Sequence, residues 1–311
     1  MKIKILGSGG DGGYPQWNCG CAQCAGLRAV TLKAQARTQM QVAFSPMKGI
    51  WFLIGASPDL RAQMLATPEF APYSENGGIS PIAGVFLASA EAASVMGLLH
   101  LRESQSQFVF ATSGVQRLLK NENKIFRVAN GNSPTAQWQM LSTRGRIGCH
   151  LSENPGDPPT FYYSSVSLGG AYPDFASDEF RRNAAADEAN VGVVIEQDGK
   201  KLFVGPSIAA STSLWTKVAG SADLALVDGA YWSDDELLRA GVGEKTAREM
   251  GHVPISGVGG LLEQYPGKAT GQRVLIGMSH TNPILEEDSV ERREALEAGF
   301  EIAYDGMEFE L

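Results

Sequence analysis

Short apolar runs separated by turn residues recur along the chain and predict a protein rich in β-strands. Runs of this length, bounded by glycine, proline, serine or aspartate, are typical of strands buried in a sheet. Two segments between them have the composition and spacing of helices, 60–66 (LRAQMLA) and 90–101 (AEAASVMGLLHL). The predicted strands of the first half are 2–6, 40–45, 50–54, 83–88 and 107–111.

Two hairpins are predicted in the second half of the chain. Residues 191–205 (VGVVIEQDGKKLFVG) place Asp198-Gly199 between two apolar runs, a dipeptide typical of tight hairpin turns. The C-terminal residues 301–311 repeat this arrangement, with Asp305-Gly306 between two short runs. Both segments are therefore predicted to form antiparallel strand pairs.

The remaining second half completes a fold-class prediction. Residues 222–229 and 273–278 predict buried strands, whereas the Ser-, Pro- and Gly-rich stretch 150–190 predicts a surface loop or lid. Two β-rich halves, each with helices outside, predict an α/β fold built as an αββα sandwich. We expect a single domain over residues 1–311.

Composition narrows the functional class. With 43% hydrophobic and 19% charged residues the chain can bury a substantial core, and its net charge of −8 argues against nucleic-acid or anionic-membrane partners. No apolar run reaches the roughly 18 residues that span a bilayer. The first residues resemble a strand followed by a glycine-rich loop more than a signal peptide. We expect a cytoplasmic protein.

The strongest local signal is a cluster of three cysteines, Cys19, Cys21 and Cys24. Thiolates at this spacing can surround one ion, and zinc favours four sulfur and nitrogen ligands in a closed structural site. The alternative is three free thiols on a loop, which would oxidise readily. A fourth ligand would come from one of the histidines, His100, His150, His252 or His280.

A set of sequence blocks runs from end to end of the chain: 7–26, 36–39, 56–63, 97–103, 228–237, 240–257, 281–289 and 303–311. Together these blocks resemble the coenzyme PQQ synthesis protein B family of the metallo-β-lactamase superfamily. The resemblance implies the metallo-β-lactamase-like αββα sandwich and a role in making pyrroloquinoline quinone. The implied activity is iron- and dioxygen-dependent hydroxylation of a tyrosine in a small Glu-Tyr-derived peptide; carriage of the finished quinone is an older interpretation.

The resemblance extends to phosphodiesterases of the carbon–phosphorus lyase pathway, which share the Cys-x-Cys-x-x-Cys loop. Their fourth zinc ligand is a histidine three residues after an active-site histidine. In this chain His280 matches the ligand and Gly277 matches the active-site histidine. The resemblance thus implies a structural zinc held by Cys19, Cys21, Cys24 and His280. The alternative for His280 is a capping or core histidine.

The chain departs from the superfamily where a catalytic metal would bind. Aligned on Gly97, the positions of a ligand Asp and His are occupied by Ala93 and Ser94. Alanine has no donor atom and serine is a poor ligand for iron or zinc. Because Gly277 replaces a further histidine, we do not expect a second, catalytic metal (Fe or Zn) at the usual place.

Three residues remain as candidate catalytic groups or ligands of a rearranged metal site, Glu91, Asp228 and His252. Each has a structural alternative: Asp228 precedes a glycine, as turn residues do, and His252 lies in a loop where a hydrogen-bonded structural role is common. The glycine-rich stretch 7–13 (GSGGDGG) is interpreted as a flexible loop over the site, because it lacks the pattern of a phosphate-binding loop.

Three hypotheses follow. The leading one is a divergent family member with a structural zinc and a degenerate catalytic site that binds a peptide-derived or quinone-like small molecule or a short peptide. The second is an active oxygenase or hydrolase with a rearranged metal site. The third is a zinc-stabilised interaction module without a ligand pocket. Homodimerisation is compatible with each of them.

Overall fold

Two seven-stranded sheets pack face to face and are covered by helices on their outer faces, as the αββα prediction requires. The computed structural model describes residues 1–72, 80–101, 107–123, 125–126, 136–152, 154, 156–210, 212–265 and 271–311. In the described part of the chain, no helix is long and apolar enough to cross a membrane.

The first sheet contains strands from both ends of the chain. Its strands, in spatial order, are β14 (Glu308–Glu310), β1 (Lys2–Gly7), β2 (Gln41–Met47), β3 (Ile50–Ile54), β4 (Ile82–Phe86), β5 (Gln107–Ala111) and β6 (Ala136–Met140). The three pairings from β14 to β3 are antiparallel, and the three from β3 to β6 are parallel.

The second sheet has the same design. The pairings from β7 to β10 are antiparallel and those from β10 to β13 are parallel. Its strands, in spatial order, are β13 (Glu301–Ile302), β12 (Gln272–Ile276), β11 (Leu224–Asp228), β10 (Lys200–Gly205), β9 (Val191–Gln197), β8 (Phe161–Ser167) and β7 (Ile147–Cys149).

Short helices cover the outer faces of the two sheets. The α-helices are α1 (Ala22–Arg28), α2 (Leu60–Ala66), α3 (Ala92–Val95), α4 (Leu98–Leu101), α5 (Ser113–Arg117), α6 (Asp178–Asn183), α7 (Ser213–Gly220), α8 (Glu236–Ala240), α9 (Leu261–Gln264) and α10 (Val290–Glu297). Helices α2 and α5 pack on the first sheet and contribute Leu60 and Val115 to its outer apolar layer. Helices α7 and α10 pack on the second sheet and contribute Trp215 and Ala295.

Aromatic side chains from both sheets fill the space between them. Phe52 contacts Phe44, Phe86 and Phe110 of its own sheet and, at 5.2 Å between ring centroids, Phe161 of the other sheet. These side chains are almost completely buried. The inner faces of the two sheets therefore form one continuous core.

Three local predictions are wrong. The helix predicted at 90–101 is two short helices, because the Gly97 amide between them donates to the Ala56 carbonyl oxygen at 2.8 Å instead of continuing the helical hydrogen bonds. The stretch 150–190 is not all loop, since it contains the buried strand β8. The C-terminal residues 301–311 are not a hairpin: β13 and β14 belong to different sheets.

The fold brings loops from both sheets to one edge. Strands β3 and β4 are parallel, as are β10, β11 and β12, so within each set the carboxyl ends share an edge. Ser89, after β4, pairs with Asn190 before β9, and Gly9, after β1, pairs with Met278 after β12. The candidate residues lie in these loops.

Candidate functional site

The cysteine loop lies against the end of β12. Cys21 precedes α1, and Arg28 at the end of that helix donates hydrogen bonds to the carbonyl oxygens of Cys19 and Gln16, which fixes the loop's shape. The Cys19 and Cys21 sulfurs and a ring nitrogen of His280 all lie within 4.8 Å of one another. The structure therefore brings three of the four predicted zinc ligands together.

Cys24 lies on the inner side of this group. The Cys24 side chain is completely buried, whereas Cys19 and Cys21 are half-buried. The Cys24 sulfur does not belong to the group of Cys19, Cys21 and His280 ligand atoms that lie within 4.8 Å of one another. Burial and the neighbouring Cys21 raise the pKa of Cys24 to about 12. Three thiols and an imidazole are the donor set that zinc prefers, and the residues present fit that ion. His100 and His150 are exposed and Cys149 is buried in the core.

Asp228 and His252 form a tightly bonded pair at the end of β11. The carboxylate is 1% exposed, and its Oδ2 lies 2.7 Å from Nδ1 of His252 and accepts a hydrogen bond from the Ile208 amide at 2.8 Å. Its Oδ1 accepts from the Ala230 amide at 3.0 Å. Asp228 is thus both a turn residue and part of the site, and it orients His252 so that Nε2 is left available.

The surroundings of His252 favour its protonated form. Burial by itself lowers the pKa of an imidazole, but the charge and hydrogen bond of Asp228, with a smaller contribution from Asp11, raise the pKa of His252 above its ordinary value. The ring of Tyr231 packs edge to face against His252, with 5.4 Å between centroids. His252 is therefore held from two sides.

A series of carboxylates begins beside this histidine: Asp11 lies near His252, Glu91 lies near Asp11, and Asp174 lies near Glu91. Glu91 follows β4 and is exposed, yet partial burial and the charges of Asp11 and Asp174 raise its pKa. Asp11 is also exposed. Partial removal of its carboxylate from water by the surrounding protein raises its pKa, and the charge of His252 lowers that pKa by a smaller amount. Asp11 interacts electrostatically with both Glu91 and His252, and the region between these three side chains is called the recess below. Asp11 and Asp174 were not predicted; an aspartate flanked by glycines in a loop over the site was the available signal for Asp11.

Gly277 and Ser94 are two of the positions that the resemblance aligns with metal ligands of the superfamily. Gly277 has φ +71°, a left-handed conformation that favours glycine, and a Cβ built on it would meet only the Pro206 carbonyl oxygen, at 3.8 Å. Ser94 lies in α3, with its hydroxyl 3.4 Å from that of Ser89. Gly277 therefore offers no side-chain donor atom, and Ser94 offers a hydroxyl.

A buried polar network lies behind Tyr231. Glu236 is 5% exposed; it accepts hydrogen bonds from the Thr281 hydroxyl and the Trp232 amide. Burial raises the pKa of Glu236 to about 7, against the opposing effect of these bonds. The Ser279 hydroxyl lies 3.0 Å from that of Thr281. The sequence carried no signal for this network.

Comparison with known proteins agrees with this architecture. A beta-lactamase superfamily domain profile matches residues 50–278. The chain is 37% identical over 315 residues to "Coenzyme PQQ synthesis protein B" of Pseudomonas putida (strain GB-1), and 36% identical to the protein of that name from Pseudomonas protegens; each alignment covers 100% of both chains.

Solved structures give the same result. The crystal structure of zinc-bound PqqB from Methylobacterium extorquens superimposes with a TM-score of 0.88 at 34% identity, over 100% of both chains. A diphosphatase of the PhnP family shares the fold at a TM-score of 0.65 and 16% identity, over 100% of this chain and 96% of that one. This chain therefore belongs to the coenzyme PQQ synthesis protein B family of the metallo-β-lactamase superfamily.

Proposed function

We propose that this chain acts in the biosynthesis of pyrroloquinoline quinone and binds a peptide-derived or quinone-like small molecule in the recess beside His252. Full-length similarity to relatives named for this pathway supports the first part. The second part, binding of a small molecule in the recess, rests on which of the expected metal ligands are kept and which are replaced. The cysteine cluster still faces His280, whereas Ala93, Ser94 and Gly277 bring no good metal ligand to the recess.

We assign a structural zinc to Cys19, Cys21 and His280, with Cys24 as the fourth ligand. The zinc reported for the Methylobacterium extorquens relative supports this assignment. A closed shell of three thiolates and one imidazole leaves no position for a substrate. When bound, the ion would join the loop before α1 to the end of β12, and its contribution would be to the fold.

The recess offers both signs of charge to a ligand. Asp11 and Glu91 are hydrogen-bond acceptors at its edge, and the oriented His252 presents Nε2 as a donor whenever the ring is protonated. A quinone or carboxylate oxygen suits the histidine, and an ammonium or amide group suits the carboxylates. A short amino-acid-derived molecule carries both kinds of group.

Isothermal titration calorimetry with pyrroloquinoline quinone and with a Glu-Tyr dipeptide tests this proposal. We expect the wild type to bind one of the two probes and His252→Ala to bind it at least tenfold more weakly, since loss of an oriented charged partner costs about 1.5–3 kcal/mol. His150→Ala is the matched control, because His150 is exposed. Absence of binding to both probes, or equal binding by His252→Ala, would refute the binding role.

A second candidate is an active metal-dependent oxygenase or hydrolase. The observation in its favour is the Asp228–His252 pair, because a carboxylate commonly orients a metal-ligating histidine in this way. Glu91, Asp228 and His252 would be its ligands, and they would have to move together on binding, because their ligand atoms do not all lie within 4.8 Å of one another. Metal analysis of protein purified without chelators separates the two: zinc alone, at one ion per chain, favours the binding protein. A second stoichiometric metal, with tyrosine-peptide turnover lost in His252→Ala, favours the enzyme.

A further inference from the structure

Hydrogen bonds of the chain itself hold the sulfurs of Cys19 and Cys21 next to each other. These two atoms lie within 4.8 Å of one another, and the Cys21 amide donates a hydrogen bond to the Cys19 sulfur at 3.3 Å. The Cys21 thiol in turn donates to the His280 carbonyl oxygen at 3.9 Å. The protein therefore positions the two thiols as a pair.

The backbone on both sides of Cys19 is also fixed. Arg28 donates to the carbonyl oxygens of Cys19 and Gln16, and the Cys19 amide donates to the Gln16 carbonyl oxygen at 3.1 Å. The Tyr14 hydroxyl donates to the Gln23 carbonyl oxygen at 3.2 Å, which anchors the start of α1 after the loop. Because the loop is held at both ends, each thiol meets the other at a high effective concentration.

Gly20 lies between the two cysteines and leaves their backbone room to adjust. It is exposed, and a Cβ built on it would meet no atom of the described chain within 4 Å. A disulfide needs sulfurs about 2.05 Å apart and Cα atoms roughly 4.4–6.8 Å apart, a span that fits residues two apart in a chain. The loop can therefore close into a Cys19–Cys21 disulfide through a local movement at Gly20.

Exposure separates this pair from the other two cysteines. Cys19 and Cys21 are half-buried and follow Trp17, whose side chain is 85% exposed, so their loop lies at the surface. Cys24 and Cys149 are buried in the core. A dissolved oxidant reacts preferentially with accessible thiols. Oxidation should therefore begin at Cys19 and Cys21.

We propose that Cys19 and Cys21 form a thiol–disulfide switch that releases the metal of the cysteine cluster when a hydroperoxide oxidises them. The proposal rests on the metal site of the proposed function and adds redox regulation to it. The thiolate is the form of cysteine that binds a metal, and a disulfide sulfur is not a thiolate. Oxidation removes two of the four ligands, and Cys24 and His280 alone do not complete a zinc shell.

The oxidation consumes one hydroperoxide and transfers two electrons. One thiolate attacks a peroxide oxygen: an S–O bond forms, the O–O bond breaks, and the departing oxygen takes up a proton. The second thiolate then attacks the sulfenic sulfur: the S–S bond forms, the S–O bond breaks, and hydroxide leaves and takes up a proton. With hydrogen peroxide the products are one disulfide and two waters, and the zinc ion leaves with its charge unchanged.

Hydrogen peroxide treatment of the metal-free and the zinc-loaded protein, followed by mass spectrometry, tests the switch. Remaining thiols are alkylated in denaturant, and trypsin then releases all three cysteines of the cluster in one peptide, residues 5–28. We expect this peptide to lose the mass of two hydrogen atoms and to carry an alkyl group on Cys24 alone. In the zinc-loaded protein, a chromogenic chelator should detect one zinc ion released per disulfide, and dithiothreitol should reverse both changes.

The matched controls are Cys24→Ser and Cys149→Ser, which leave the proposed pair in place. In the metal-free protein both variants should form the disulfide to the same extent as the wild type. Cys19→Ser should form no disulfide in this peptide under the same treatment, and Cys21→Ser should behave in the same way. Because these comparisons use metal-free protein, they do not depend on how strongly each variant binds zinc.

The remaining outcomes separate the switch from the metal site. The switch is wrong if both thiols survive the treatment, if alkylation marks Cys19 or Cys21 in place of Cys24, or if dithiothreitol fails to restore the thiols. If the oxidised protein keeps its zinc, the switch is again wrong and the metal site stands. If the wild type binds no zinc at all, the metal site of the proposed function is wrong and the switch falls with it.

Discussion

At the scale of single residues, the structure gives Asp228 the hydrogen bond of a turn residue and, in addition, a bond to His252. The carboxylate accepts a hydrogen bond from the Ala230 amide, as turn aspartates do, and its other oxygen orients His252. Such a carboxylate determines which nitrogen of the histidine carries the proton and which one is left for a ligand. Asp228 is therefore best described as a partner of His252 inside the protein.

Asp228→Asn should lower the pKa of His252. Without the carboxylate charge, burial dominates and disfavours the imidazolium, and an asparagine amide facing the Ile208 amide adds a donor–donor conflict. NMR titration of the histidine ring measures the pKa, and we expect denaturant unfolding to show a loss of about 1–3 kcal/mol. Asp235→Asn, at an exposed position, is the control. An unchanged His252 pKa would contradict the assigned role.

Glu236 predicts a pH dependence of stability. Its pKa is raised from 4.5 to about 7 in the folded protein, so the folded state retains a proton that the unfolded state releases. Unfolding free energy should thus fall as pH rises from about 4.5 to about 7, by at most about 3 kcal/mol. Glu236→Gln removes this contribution.

The measurement is urea unfolding of the wild type and Glu236→Gln across that pH range. The stability of the variant relative to the wild type should increase with pH and then level off above about pH 7. Thr246→Ala, which removes a solvent-exposed hydrogen bond to the Glu249 amide on a neighbouring loop, is the control for non-specific effects. A difference that does not vary with pH would show that Glu236 is ionised across the range.

At the scale of secondary-structure elements, two similar Asp-Gly sequences that both predict hairpins have different outcomes in the structure. The hairpin at Asp198-Gly199 is confirmed, since β9 and β10 pair across two residues with positive φ. The similar Asp305-Gly306 sequence forms no hairpin, because the Asp305 carboxylate instead bonds the backbone amides of Ser8 and Thr38. The chain passes there from one sheet to the other.

Cys19→Ser should abolish the effect of chelators on thermal stability. A metal present at 100 times its dissociation constant stabilises the folded state by about 2.7 kcal/mol, so chelation should lower the melting temperature of the wild type. In Cys19→Ser the melting temperature should already be low and should not respond. Cys149→Ser changes the cysteine outside the cluster and should keep the response. Chelator insensitivity of the wild type would exclude a stabilising metal.

At the scale of the whole molecule, aromatic packing between the sheets holds the two halves together. Phe86 and Phe110 stack at 4.1 Å between centroids, and Tyr163 of the other sheet packs edge to face on both. Because the site loops descend from both sheets, the geometry of the recess depends on this core.

Phe52→Ala should destabilise the protein by about 3–5 kcal/mol, since it leaves a cavity among four aromatic rings. Denaturant unfolding measures the loss. Phe175→Ala, at a position that is 44% exposed, should cost less than about 1 kcal/mol. Equal effects of the two substitutions would mean that the core between the sheets is not the main source of stability.

The sequence alone determined the fold class, most of the buried strands and the cysteine loop, whereas the choice of His280 among four histidines came from the family resemblance. Those features depend on residue type and spacing: apolar periodicity specifies strands, and thiols at short spacing specify a metal loop. The sequence also predicted the loss of donors at Ala93, Ser94 and Gly277.

Only the tertiary structure decided how the site is assembled. Asp11 and Tyr231 come from loops after two different strands, and their proximity to His252 depends on strand order and on contacts between residues far apart in the chain. Whether a carboxylate is a ligand, a turn residue or a partner of a histidine depends on which donors surround its oxygens. The spacing of residues along the chain does not reveal which donors will surround a given oxygen in the folded protein.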